Sequence, residues 1–314
     1  MSVLNQTRIT EFHLLGFHRF HSYKIIILFF FLLVHLLTLC GNLLIIWLVA
    51  SNRSLQSPMY FFLTQLSLSD LLLTTDIVPN ALYIIWNEGG AISFSGCLTQ
   101  LYFFVLSDGS DCFLLTIMAY DRYVAICKPL RYNTLMNTLL CIKLIAISWL
   151  LSFSIALFDT ITVSQLRFCG PNIIDHFFCD FIPLMELFCS LTPIFKVEVL
   201  LLCTLFLLFP LMIIIASYVC IVRAVLRIST ESSGRVKAFS TCSSHLTVVT
   251  IFYGTLIGIY FSPSSDKSVT HSKVLSLLYT VVTPMMNPII YSLRNKDIKE
   301  AIKNKRKGNL IIAK

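Results

Sequence analysis

Ile25–Val49 reads IIILFFFLLVHLLTLCGNLLIIWLV, an apolar run without a single Asp, Glu, Lys or Arg. The hydrocarbon of a bilayer is about 30 Å thick, and a helix rising about 1.5 Å per residue crosses it in about 20 residues. The run therefore reads as a membrane-spanning helix. Six stretches downstream meet the same test: Pro58–Leu82, Leu98–Ile126, Leu139–Phe158, Val199–Leu226, Phe239–Phe261 and Val274–Leu293. Polar groups interrupt the second and third. The expectation is an all-α membrane protein, a seven-transmembrane helix bundle. It divides into an N-terminal segment (1–24), a spanning domain (25–293) and a tail (294–314).

Composition points the same way. Of the 314 residues, 56% are hydrophobic and 13% charged, with a mean hydropathy of +0.81. A soluble domain carries about one quarter charged residues, so this chain has too little polar material to cover a water-facing surface. The net charge of +8 does not point to nucleic acid, because no basic stretch alternates with aromatics on a soluble segment. The residues before Tyr23 lack the apolar region and cleavage site of a signal peptide, so the first span is expected to act as an uncleaved insertion signal.

Positive loops stay in the cytoplasm. Seventeen of the 24 lysines and arginines fall on one side of the spans, in the loops near Arg53, Arg122–Lys143 and Arg223–Lys237 and in the tail. The N-terminus is therefore expected outside and the tail inside. Asn5-Gln6-Thr7, a glycosylation acceptor, agrees with an outer N-terminus. So do Cys97, Cys169, Cys179 and Cys189, which fall on the outer side, where disulfides persist. Four cysteines allow three pairings, and spacing does not choose among them. In the tail, Ile298, Ala301 and Ile302 recur at helical spacing among lysines, the pattern of a short helix lying on anionic inner-leaflet lipid.

Ionisable groups inside hydrocarbon are costly and mark function. Asp70 lies in the second span, and Asp108, Asp111 and Asp121 in the third. Asp108 and Asp111 share a helix face with Phe104 and Cys112 nearby. Asp70, Asp111, Asn42 and Asn287 are expected to form one polar cluster, either around water or a sodium ion or simply to fix helix packing. No phosphate loop, Gly-x-Ser-x-Gly or His-Glu-x-x-His occurs, so no catalytic site, cofactor or metal centre is expected. His176, Cys179 and Asp180 are ligand-type residues, but a disulfide at Cys179 would remove its thiolate.

Three stretches carry a recognisable signature: PMYFFL at 58–63, MAYDRYVAIC at 118–127 and KAFSTCSSHL at 237–246. Ser217-Tyr218, FYGT at 252–255 and PMMNPIIYSLRN at 284–295 extend it nearly end to end. The chain resembles the olfactory (odorant) receptors, a branch of the rhodopsin-like (class A) G-protein-coupled receptors. The resemblance implies a plasma-membrane chemoreceptor for small volatile or hydrophobic ligands. It would activate a stimulatory, olfactory-type heterotrimeric G protein and raise cyclic AMP. It further implies disulfides Cys97–Cys179 and Cys169–Cys189, a coupling site at Asp121, Arg122 and Tyr123, and switch residues Tyr218, His245 and Tyr291. Pro210 and Pro288 would bend helices five and seven, and Trp149 matches a core position.

Helix geometry sketches the ligand pocket as Phe104, Val105 and Asp108 on the third helix, Tyr253, Leu256, Ile257 and Tyr260 on the sixth, and Thr280 on the seventh. The family commonly has a small residue where this chain has Asp108. That carboxylate is then a counter-ion for a cationic odorant, a protonated hydrogen-bond donor, or a member of the polar cluster. Rival readings fit less well. A transporter would show internal repeats and a channel a filter ring, and two acids on one helix cannot clamp a bond as an enzyme would. A chemosensory role outside the olfactory epithelium is compatible with the same residues.

Overall fold

The computed structural model describes residues 9–169, 171–189, 193–227, 232–260, 268–294 and 296–312. Strand β1 (Glu11–Leu14) precedes helix α1 (Lys24–Ser51), then α2 (Pro58–Asn87), strand β2 (Gly90–Ser93), α3 (Phe94–Cys127) and α4 (Thr138–Gln165). Strand β3 (Ile173–Ile174) lies in the following loop. Helix α5 runs through Pro193–Cys203, a π-helical turn Thr204–Leu208, and Phe209–Arg227. Helix α6 is Ser232–Tyr260. Helix α7 joins Ser268–Leu277, a second π-helical turn Leu278–Val282, and Thr283–Arg294, and α8 is Lys296–Ile312. Seven of these helices are long and apolar enough to cross a membrane.

Local chemistry sets the helix ends. Pro58 opens α2 at a position where its missing N–H costs nothing. Asn137 caps α4 by accepting the Leu140 N–H at 2.9 Å, and Ser93 caps α3 through the Gly96 N–H at 3.0 Å. Most helices outrun their apolar stretch, because backbone hydrogen bonding continues through polar residues once a helix is nucleated. Helix α4 therefore reaches Gln165 rather than Phe158, which brings Asp159 into the helix.

The two π-helical turns each end two residues before a proline, Pro210 and Pro284. A proline ring crowds the carbonyl four residues back and lacks an N–H for it, and a wide turn relieves both. In α7 the Thr283 hydroxyl donates to the Leu278 carbonyl at 3.0 Å, across the widened turn. The sequence singles out Pro288 as the bend in α7, yet the wide turn lies beside Pro284.

Helix α3 is the axis of the bundle, packing against α2, α4, α5 and α6. Gly41 in α1 faces the Pro288 ring, where a Cβ would come within 2.8 Å. That glycine sets the close approach of α1 and α7. Large apolar side chains such as Ile26 and Met212 cover the outside of the bundle, as a lipid-facing surface requires.

One end of the bundle is capped by a three-stranded sheet in the order β2-β1-β3, with β1 antiparallel to β2 and parallel to β3. Disulfides Cys97–Cys179 and Cys169–Cys189 lie at this end, with Cα separations of 5.5 and 4.7 Å. They are the pairs that the resemblance implies, and Cys179 has no thiolate to offer a metal. Lys273 at the head of α7 donates to the Gly16 carbonyl at 2.7 Å and to Asp175 at 2.5 Å, tying the N-terminal segment and the β3 loop to the bundle. At the opposite end, Ile298 and Ala301 of α8 are buried, Ile302 is exposed, and Lys305 lies over the Trp47 ring. The acceptor Asn5 lies outside the described residues.

Candidate functional site

Beneath the sheet cap, a cavity opens between α3, α4, α5 and α6 and encloses about 650 Å³ of atom-free space, its mouth included. Helix α3 contributes Phe104, Val105, Asp108 and Cys112, and α4 contributes Asp159. Phe181, just after the Cys97–Cys179 bridge, roofs it. From α5 come Val199, Leu202, Cys203, Phe206 and Leu207, and from α6 Leu256. A mainly apolar wall with a few polar groups is the usual make-up of a small-ligand site. The π-helical turn of α5 carries Phe206 across Gly109, where any Cβ would meet the ring at 2.4 Å.

Four of the expected pocket residues, Phe104, Val105, Asp108 and Leu256, line this cavity. Tyr253 lies just below, its hydroxyl beside Cys112 and Thr116 but without a hydrogen bond. Ile257 is not in the wall. It is 39% exposed on the outside of the bundle, because one residue beyond Leu256 turns the side chain about 100° around the helix. Thr280 is buried inside α7, with its hydroxyl on the Ser276 carbonyl at 2.7 Å. The extra residue in the π-helical turn shifts its facing from that of a regular helix. The side chain of Tyr260 lies outside the described residues.

Asp111, three residues from Asp108, turns instead toward Asp70. Asn287 donates to both oxygens of Asp70 at 3.0 Å. Asn42 donates to the carbonyls of Pro284 and Thr38 at 3.1 Å. The amide oxygens of Asn42 and Asn287 and one oxygen of Asp111 are buried without a partner. Asp70, Asp111 and Asn287 are thus brought together, Asn42 is tied to the α7 backbone at Pro284, and Asp108 stays with the cavity.

Below this level, the His245 Nε2 lies 3.0 Å from the Leu115 carbonyl and its Nδ1 lies 2.7 Å from the Tyr218 hydroxyl. A carbonyl only accepts, so Nε2 carries the proton and Nδ1 accepts from the tyrosine. Arg122 is held by Asp121 at 2.8 Å, and Asp121 also accepts from Tyr132 at 2.7 Å. Tyr291 is fully buried between this group and Asp70, its hydroxyl unpartnered. Tyr123 points elsewhere, its ring under Lys128.

Residues 31–307 match the family model described as olfactory receptor. The chain is 46% identical over 303 residues to olfactory receptor 11L1 of Homo sapiens, covering 96% of this chain and 94% of the relative. It is 46% identical over 302 residues to olfactory receptor 1 of Rattus norvegicus, covering 96% of each.

The chain belongs to the olfactory receptor family.

The receptor is thus a multi-pass membrane protein whose family detects odorants and signals through G proteins to cyclic AMP. The family match runs over residues 31–307, nearly the full length of the chain. Several residues of the receptor escape a reading of the sequence. Asp159 sits beyond the apolar run of α4 and so reads as loop. Gln100 joins three elements, donating to the Asp76 carbonyl at 3.1 Å and accepting from the Cys179 N–H at 2.9 Å. Tyr132, which completes the hold on Asp121, falls in a connecting turn with no motif of its own. Trp149 is found by the signature, and its indole donates to Gln65 at 3.1 Å.

Proposed function

We propose that the cavity under the sheet cap is the odorant site of this receptor and that its occupancy is relayed along α3 to Arg122. The sheet end is extracellular and the Arg122 end cytoplasmic in the plasma membrane. The Lys/Arg bias of the loops supports this orientation, as does the placement of both disulfides at the sheet end. Helix α8 rests on inner-leaflet lipid, its lysines toward the headgroups.

The observation that carries the relay is the His245 bond to the Leu115 carbonyl. Cys112 on the cavity floor, Leu115 and Arg122 lie along one face of α3 within three turns, and His245 ties α6 to that helix between ligand and coupling site. A ligand that pushes on Leu256 or Tyr253 moves α6 relative to this tie. The state described holds Arg122 on Asp121, whose other oxygen accepts from Tyr132. Odorant favours a second state in which α6 parts from α3 and Arg122 meets the G protein. The cluster of Asn42, Asp70, Asp111 and Asn287 lies between the two ends, and its unpartnered oxygens suit water or a sodium ion.

A cyclic-AMP reporter in cells displaying the receptor tests this reading. Arg122→Ala abolishes the odorant response while Leu256→Trp, filling the cavity, shifts or removes it. Full signalling by Arg122→Ala would refute the relay.

A further inference from the structure

Resting on the odorant-site reading, we infer that this cavity selects odorants carrying an O–H or N–H donor on an apolar body, with Asp108 as the acceptor that reads the donor. Asp108 lines the cavity from α3. Its Oδ1 is enclosed by the protein and accepts no hydrogen bond, so the cavity is the side from which a donor can reach this carboxyl group. Other buried carboxyl groups are served by the protein itself. Asp70 has the Asn287 amide, with both bonds at 3.0 Å, and Asp121 has Arg122 and Tyr132. Asp180 Oδ1 accepts the Phe181 N–H at 2.7 Å. Asp108 differs from these three in lining ligand space.

An enclosed acceptor without a donor is costly. A site left in that condition discriminates between a ligand that supplies the missing bond and one that cannot. The distinction holds in either protonation state. An ionised carboxylate only accepts, and a protonated carboxyl group keeps one oxygen that accepts. An alcohol or an amine donates to that oxygen in both cases. An ether, ester or ketone serves it in neither, since at best it takes the acid proton and leaves the second oxygen bare. The wall around Asp108 sets the other requirement. Phe104, Val105, Phe206 and Leu256 are apolar, so the rest of the ligand gains by burying hydrocarbon against them.

The test uses the full-length receptor at the cell surface with a cyclic-AMP reporter. The probes are alcohols, amines, ketones and methyl ethers matched on the same linear and cyclic hydrocarbon skeletons. The expected result is activation by alcohols at concentrations about 10- to 100-fold below those of the matched ketones and ethers, with amines active as well. Asp108→Leu removes the acceptor at similar volume and brings the alcohol-to-ether ratio to about one. Asp108→Asn keeps an acceptor but adds an N–H donor, so it narrows the alcohol-to-ketone ratio. Ratios are compared within each variant and so do not depend on surface density. Asp108→Asn carries the test if Asp108→Leu fails to reach the surface. Alcohols and ketones of equal potency on wild type, or a wild-type ratio that survives in the displayed variant, overturn the inference and leave the cavity as the odorant site. Active amines with silent alcohols also overturn it, since charge and not the donor would then be read. Silence to every probe, with surface display verified by flow cytometry, removes both readings.

Discussion

His245 accepts a hydrogen bond from Tyr218 on one ring nitrogen and donates to the Leu115 carbonyl with the other. One neutral imidazole thereby joins α5, α6 and α3 in a single arrangement, and any state that separates α6 from α3 has to break it.

Tyr218→Phe removes one arm of that junction and leaves a buried nitrogen unpaired, at about 1–3 kcal/mol against the state described. The equilibrium toward the coupling state then moves about 5- to 150-fold. Cyclic AMP measured without ligand is expected to rise, at equal surface density. Unchanged basal signalling would mean that the bond persists in both states.

Asn287→Ala strips both hydrogen bonds from Asp70 and leaves a carboxyl group enclosed by the bundle. Removing one partner of a buried charged group costs about 3–5 kcal/mol, so the purified receptor should melt at a clearly lower temperature. Asp70→Asn keeps an amide for Asn287 to bond and should lose less. Equal melting temperatures for Asn287→Ala and wild type would exclude a structural role for the pair.

Two groups of the cap, outside the spanning helices, oppose each other in pH. Burial, and next the positive charge of Lys273, push His176 from 6.5 down to about 3. Stability from the neutral ring is present above pH 6.5 and is lost as pH falls toward 3. Burial pushes Asp180 from 3.8 up to about 6, against the pull of the Phe181 and Ile182 N–H groups. Its contribution has the opposite sign, present below 3.8 and lost as pH rises through 6. Between about pH 4 and 6 the two slopes cancel. Thermal melts of wild type should be nearly flat there, those of Asp180→Asn should fall as pH drops, and those of His176→Phe should fall as pH rises.

Lys273→Met cuts the tie from α7 to Gly16 and Asp175. Asp175 is partly exposed and keeps His18 and Arg19 within 3.6 and 3.9 Å, so the loss is about 1–3 kcal/mol. Hydrogen exchange in β1 should accelerate, with the amides of α3 unchanged. Protection that stays as in wild type would show that the sheet alone holds the cap.

The spans were legible because crossing hydrocarbon imposes length and apolarity on each helix separately. The pairing of Asp70 with Asn287 was legible for a related reason, since polar groups at membrane depth have few other places to go. Facing was harder to read. Ile257 and Thr280 were placed by counting turns, and a one-residue step or a wide turn is enough to redirect a side chain. Asp159 was hidden by treating the end of an apolar run as the end of a helix. The cap left the faintest trace, because β2 and β3 are four- and two-residue strands whose pairing depends on distant chain.

The middle strand of that cap emerges from the ribosome first, yet β3, on one of its edges, follows only after four helices. His13 cannot meet Ile173 until α1 to α4 have been threaded in the right direction. Closure of the sheet is therefore a late event of biosynthesis that reports on all the earlier ones. A chain with a misinserted helix leaves an edge of β1 bare, and a bare strand edge invites other chains. Closure of the β1 edges is thus a mark of completed assembly written into the topology.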